Sequence, residues 1–480
     1  MAESLKNKTV KGIVWSSIER LSVQGVQFLV MLVIARILDP KDFGLVGMLA
    51  IFLAVAQSLI DSGFSQALIR KQNRTETDNS TVFYFNIFIS VVLYAIFYLI
   101  APWVSWFFNE PQLTSLMRVL CVIIIINSFA VVQRAVYTAS IDFKTQAKAS
   151  LIAAVISGGI GITLALSGFG VWTLVVQQLL NAGVNTLMLW AFSKWRPHLA
   201  YSWRSFKELF AFGSKLMISG LIDTLYNNLY QIVVGKVFLA TSLGHFTQAK
   251  TITQLPSSNI TNILQRVTYP VLCTLQEDDD MLRKNYRKLL QLSAFIVFPL
   301  MCLLAGVAYP LVEVLLGKKW LFTATLIIPL CFNLMFYPIA AINLNLLQVK
   351  GRSDLFLKLE IIKKIIGVTV LIASIPYGLV FMTYARIASG LLGLYLNTYY
   401  TKKLINVGFY LQMKDISGSL FLSLSMFLVV CFMNVLISNV WGQLVVGIIT
   451  GLFFYMSISF LFKMPELKYF SFIKNVNYEK

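Results

Sequence analysis

The 480-residue chain carries 58% hydrophobic and only 13% charged residues, with a mean hydropathy of +0.74. That composition excludes an ordinary soluble domain, because apolar runs of about twenty residues, the length of a membrane-spanning helix, recur along the whole chain. The formal net charge of +19 raises nucleic acid as a partner, a reading that the placement of the basic residues removes below.

In chain order, the apolar runs predict fourteen spans. The first six lie at 12–37, 43–69, 80–104, 114–136, 146–168 and 170–192. A polar connection follows at 193–207, SKWRPHLAYSWRSFK. Six more lie at 208–237, 243–270, 289–313, 321–348, 357–375 and 378–401, and two close the chain at 416–438 and 441–462. None shows the short alternating pattern of barrel strands, so the expected fold class is an all-α integral membrane protein. The first run is longer than a secretory signal and no small-residue cleavage site follows it, so it is expected to stay in the membrane.

With the N-terminus inside, the cytoplasmic segments hold about thirty of the 40 basic residues and the outward ends and loops about seven. This asymmetry accounts for the charge without nucleic acid and places both termini in the cytoplasm. Tryptophans agree: Trp103, Trp106 and Trp441 fall near outer ends, Trp15 and Trp190 near inner ones. The cysteines form no CxxC pair, His198 and His245 are far apart, and no GxxxxGK[ST] loop occurs. No disulfide framework, metal site, catalytic motif or nucleotide loop is therefore expected.

The sequence also repeats. Shifted by 200, residues 29–48 (LVMLVIARILDPKDFGLVGM) fall on 229–248, with Arg36 on Lys236 and Gly44 on Gly244. A shift of 208 places Pro102 on Pro310 and Gly170 on Gly378. The expected organisation is an N-lobe at 1–200, a related C-lobe at 201–405, and two further helices with a tail at 406–480. Parallel repeats of this kind point to a transporter whose substrate site lies between the halves near the midplane. Pro256, Pro299, Pro329 and Pro338 fall inside spans of the second half, while spans of the first half are expected to be uninterrupted.

A few charges sit where lipid would be expected. Glu19 and Arg20 interrupt the first span, and a charge at the bilayer centre costs at least a few kcal/mol. Arg20 lies about 13 Å from the inner end of its helix, and Lys215 lies at a similar depth in the repeat-equivalent span. Asp61 reaches about the same level in span 2. Asp223 is deeper in span 7, Lys250 and Arg266 are in span 8, and Arg386 is in span 12. Two readings are open. In one, spans 1, 2, 7 and 8 line a wet cationic cavity in which Arg20, Lys215, Arg266, Lys250 and Arg386 bind an anionic substrate. Glu19, Asp61 and Asp223 would then pair charges or couple to an ion. In the other, the charges form local structural ion pairs, and Lys250 and Arg266 snorkel to an interface. Gly158, Gly159 and Gly161 in SGGIG are read as helix-packing positions.

The phrases ARILDPKDFGLVGM, DSGFSQALIRKQ and GFGVWTLVVQQLL resemble a pattern of the Wzx-type bacterial polysaccharide flippases, closest to their colanic-acid-type branch. These belong to the multidrug/oligosaccharidyl-lipid/polysaccharide exporter superfamily. The resemblance covers essentially the whole chain and is strongest in the first 200 residues; Asp39 stands where glycine is usual and Thr173 where alanine is usual. It implies a fourteen-helix transporter, not an enzyme, in the bacterial inner membrane. The implied cargo is an undecaprenyl-diphosphate-linked oligosaccharide: an O-antigen, capsule or exopolysaccharide repeat unit. It would pass from cytoplasmic to periplasmic leaflet by alternating access. No cofactor is expected beyond a coupling proton or sodium ion. Expected partners are that substrate, membrane lipid, and the polymerase and chain-length proteins of the same pathway. Two alternatives remain. A drug/cation antiporter of the superfamily would want an acidic cavity, and a membrane glycan polymerase or ligase would want a sizeable periplasmic loop.

Overall fold

A computed structural model describes residues 22–61, 63–71 and 73–467. Among the described residues there is no β-strand. The chain runs through α1 (Ser22–Ile37), α2 (Pro40–Asp61), α3 (Phe64–Arg70), α4 (Glu76–Phe108), α5 (Leu113–Leu120), α6 (Val122–Ser128) and α7 (Val131–Ala139). It continues through α8 (Phe143–Leu166), α9 (Val171–Phe192), α10 (Trp203–Val237), α11 (Ala240–Thr274), α12 (Asp279–Gly306) and α13 (Ala308–Leu315). The last are α14 (Leu321–Leu334), α15 (Tyr337–Val349), α16 (Ser353–Ser374), α17 (Gly378–Ile405), α18 (Phe409–Leu436) and α19 (Val440–Leu461).

Local chemistry sets several of these boundaries. Thr75 and Asp78 cap each other at the start of α4: the Asp78 N–H donates to Thr75 Oγ1 at 3.2 Å, and the Thr75 N–H donates to the Asp78 carboxylate at 2.9 Å. The same helix ends on Asn109 in the left-handed conformation. Among the described residues, nine helical stretches are long and apolar enough to cross a bilayer, ten if the bent pair Leu113–Ser128 and Val131–Ala139 counts as one. One of the nine, Ser353–Ile405, is 53 residues long and holds two expected spans. At 1.5 Å per residue it would measure about 80 Å, against about 30 Å of hydrocarbon. The helices α9 and α11 are long enough but fall outside the nine, because amides, hydroxyls and Lys250 dilute their apolar character.

Breaks are distributed differently from the expectation. Pro102 lies inside α4, so first-half spans are not free of proline. The sharpest break recorded among candidate spans, 41°, is also in the first half, between α6 and α7, and contains no proline at all. Pro338 lies inside the candidate span Lys318–Val349 as expected, but in the first turn of α15, where its missing N–H costs nothing.

The chain divides into two compact units, Met1–Gly244 and His245–Lys480. In the first, α10 packs on α2, α3 and α4, and α8 packs on α9. The glycines paired by the 200-residue shift meet in space. A Cβ on Gly44 would lie 1.8 Å from the Ala240 carbonyl oxygen, and one on Gly244 would lie 1.8 Å from that of Pro40. The contact is mutual, so the start of α2 and the start of α11 cross backbone to backbone with a local two-fold relation. The SGGIG glycines divide by role. Gly158 abuts Val30 and Gly161 abuts Gln177, whereas Gly159 faces open space.

In the second unit the final pair of helices is fastened to the rest by buried polar groups. Tyr286 of α12 donates to Asn343 of α15, whose Nδ2 donates to Gln412 Oε1 at 3.2 Å. Gln412 Nε2 lies 3.1 Å from the Tyr286 hydroxyl and 3.0 Å from Thr401 Oγ1. Beside this network Arg287 makes a two-pronged bond to the Asp415 carboxylate, at 2.7 and 2.6 Å.

Candidate functional site

The first unit holds a half-open cavity of about 400 Å³. Its polar lining comes mainly from α9, where Gln177, Asn181 and Asn185 recur every four residues and so share one helix face, with Gln178 beside them. Asn181 lies ten residues into α9, about 15 Å along it, which places the stripe near mid-span. Across from it are Gln27 of α1, Asn127 of α6, Arg134 of α7 and Ser157 of α8. Val30, Leu53 and Ile123 supply apolar wall.

The break between α6 and α7 brings Asn127 and Arg134 to the same space. A break within a membrane span frees carbonyls that lipid cannot satisfy, so partners must come from neighbouring helices. Here α9 supplies them. The Trp190 indole N–H donates to the Phe129 carbonyl at 2.9 Å, and the Thr186 hydroxyl donates to that of Ile126 at 3.3 Å. Within the cavity Asn181 donates to Ser157 Oγ at 3.1 Å, and Asn127 donates to Gln57 Oε1 at 3.0 Å. Asn185 Oδ1 is buried with no hydrogen-bond partner among the described residues. Arg134 makes no ion pair with a described residue, and none of the cavity's described lining residues is a carboxylate. Among the described lining residues, Arg134 is the one charged group.

The charges singled out in the sequence are not these. Glu19 and Arg20 lie outside the described residues, and so do the side chains of Asp61, Lys215 and Arg266. Asp223 is exposed on α10 of the first unit. In the second unit, Lys250 of α11 and Arg386 of α17 are both half-buried and close enough for their charges to repel. Helix α16 carries a pair that the sequence reading passed over: Lys363 Nζ lies 2.5 Å from Glu360, three residues earlier on the same helix. At the far end of α10, Lys236 donates to the Phe107 carbonyl at 2.5 Å and sits over the Phe107 ring, as an interfacial anchor would. The amide cavity itself had one legible signal, the four-residue rhythm of polar groups in VVQQLLNAGVN.

The family profile described as polysaccharide biosynthesis protein matches residues 33–325, more than half of the chain. The chain belongs to that family. Among its relatives, the lipopolysaccharide biosynthesis protein WzxC of Escherichia coli (strain K12) is 26% identical over 367 residues, 75% of this chain and 74% of the relative. The teichuronic acid biosynthesis protein TuaB of Bacillus subtilis (strain 168) is 25% identical over 357 residues, 73% of each chain. In fold, the chain is similar to the lipid II flippase MurJ in an inward closed conformation, with a TM-score of 0.74 at 15% identity, covering 94% of this chain and 98% of that one. Family membership and fold bear out the Wzx-type resemblance and the all-helical, multi-pass membrane architecture. They also bear out a polysaccharide biosynthesis transporter of the exporter superfamily rather than a polymerase or ligase.

Proposed function

We propose that this family member is a flippase that moves an undecaprenyl-diphosphate-linked oligosaccharide from the cytoplasmic to the periplasmic leaflet of a bacterial inner membrane, by alternating access. The observation that carries the reading is a polar cavity at mid-span with no carboxylate among its described lining residues. A hydrated sugar chain cannot cross hydrocarbon unaided, since each polar group buried without a partner costs a few kcal/mol. A cavity of amides offsets that cost, and it would hold an organic cation poorly, which counts against a drug/cation antiporter.

The diphosphate needs positive charge instead. Lys250 and Arg386 of the second unit supply it, together with Arg20, Lys215 and Arg266, through charge-assisted hydrogen bonds. Outward movement of the anionic head is favoured by an inside-negative potential, by roughly 2.3 kcal/mol per charge per 100 mV. Asp61 is the candidate for coupling to a proton or sodium ion, with Glu19 and Asp223 as charge partners. Both termini are cytoplasmic, and the polymerase and chain-length proteins of the same pathway take over the product.

Depletion of the protein in its own cells tests this. Lipid-linked repeat units should accumulate facing the cytoplasm, inaccessible to a glycosidase added to spheroplasts, while surface polymer disappears. Repeat units that remain fully glycosidase-accessible after depletion would overturn the reading.

A further inference from the structure

The cavity of the first unit has a chemistry suited to one part of such a substrate. Each amide offers a carbonyl acceptor and two N–H donors, so a cluster of amides matches groups that both donate and accept. Sugar hydroxyls do both. A fully ionised phosphate only accepts, and a prenyl tail does neither. The apolar wall of Val30, Leu53 and Ile123 suits the C–H face of a pyranose ring. The volume of about 400 Å³ is that of a small-ligand pocket, far below what a whole lipid-linked oligosaccharide requires. Two features show that the lining is not satisfied from within. Asn185 Oδ1 is buried without a partner among the described residues, and Arg134 brings a permanent charge with no ion pair from any described residue.

We propose that this cavity binds a sugar ring of the cargo. Asn127, Gln178, Asn181 and Asn185 take its hydroxyls, and Arg134 takes an anionic group carried next to it. That group is a carboxylate on the sugar or the sugar-proximal phosphate; the guanidinium suits either. The proposal rests on the flippase reading for the identity of the cargo, but its test is binding alone, with no translocation required.

Saturation-transfer NMR on the full chain in lipid nanodiscs supplies the test, with methyl glucoside, methyl glucuronide and inorganic pyrophosphate as probes. Both sugars should give signals, the glucuronide the stronger. Asn185→Ala removes no hydrogen bond made by its Oδ1 and should weaken both sugars about tenfold. Arg134→Gln should bring the glucuronide down to the level of the glucoside and leave the glucoside unchanged, with Arg134→Lys between. Loss of pyrophosphate binding in Arg134→Gln, with the glucuronide unaffected, would assign the anion to the phosphate and overturn the sugar-carboxylate arm. Thermal melting of each variant separates lost binding from lost fold. Sugar signals equal to wild type in both Asn185→Ala and Arg134→Gln would overturn the proposal. Sugar binding in a protein that moves no lipid would leave it standing and sink the flippase reading instead.

Discussion

Gly44→Ala is a perturbation whose size follows from geometry alone. The new methyl carbon would start 1.8 Å from the Ala240 carbonyl oxygen, where ordinary contact begins at 3.4 Å. The two backbones must therefore retreat by about 1.6 Å, and neither is a flexible side-chain tip. Overpacking costs about 1–3 kcal/mol in well-packed cores, and a backbone obstacle belongs at the upper end. Alanine returns up to about 1 kcal/mol through helix propensity, which leaves a net loss of about 2 kcal/mol. Gly159→Ala is the internal control: it sits in α8 with nothing within 4 Å of its new methyl, so only the propensity gain applies. Thermal unfolding of the purified protein in one detergent should show Gly44→Ala melting lower than wild type by a few degrees and Gly159→Ala no lower than wild type. Gly244→Ala should match Gly44→Ala, since its contact with Pro40 is the mirror of the first. The double variant should lose less than the sum, because one retreat makes room for both methyls. Equal melting of Gly44→Ala and Gly159→Ala would refute the crossing.

Trp190→Phe keeps the ring but removes the indole N–H that donates to the Phe129 carbonyl, which the Gln133 amide also reaches at 2.7 Å, and should cost about 1 kcal/mol in the same melting assay. Arg287→Leu should destabilise more than Asp415→Asn, because the Asp415 side chain is 4% exposed against 35% for Arg287, and the worse outcome is a buried carboxylate left unpaired. Comparing the two melts checks the order. Burial raises the pKa of Glu466, beyond the end of α19, and its Oε2 has no partner among the described residues. The folded protein therefore holds this proton to higher pH than the unfolded chain does. Stability should fall as pH rises through the window between the ordinary glutamate value and the raised one. Glu466→Gln should remove that dependence in melts taken across it.

Much of the helical layout was legible because hydrophobic runs at bilayer length leave few alternatives. The described parts of the expected spans fall mostly on helix, broken by turns, among them those at Gly63, at Phe129 and Ala130, and at Met335 and Phe336. The Gly44–Gly244 correspondence was legible too, since a close crossing admits only glycine and both positions hold it. The cavity was harder to see. A scan of spans for charges finds Lys250 and Arg386, but Gln177, Asn181 and Asn185 carry none, and their role depends on sharing a helix face. Arg134 falls near the end of its expected span and reads as a topology signal until the bend at Phe129 carries it to the cavity. That bend has no proline to announce it. It is stabilised by Trp190 and Thr186, more than fifty residues away in sequence, so only the fold reveals it.

The central claim is transfer of a glycan-bearing lipid between leaflets, and leaflet-resolved translocation in proteoliposomes measures it most directly. Undecaprenyl-diphosphate linked to the organism's own repeat unit is placed in one leaflet, and a membrane-impermeant glycosidase reports what becomes accessible in the other. The account expects protein-dependent transfer that is reduced in Arg134→Gln and in Asn185→Ala. Accessibility no greater with the folded wild-type protein than in protein-free liposomes, with an imposed potential and ion gradient, would contradict it.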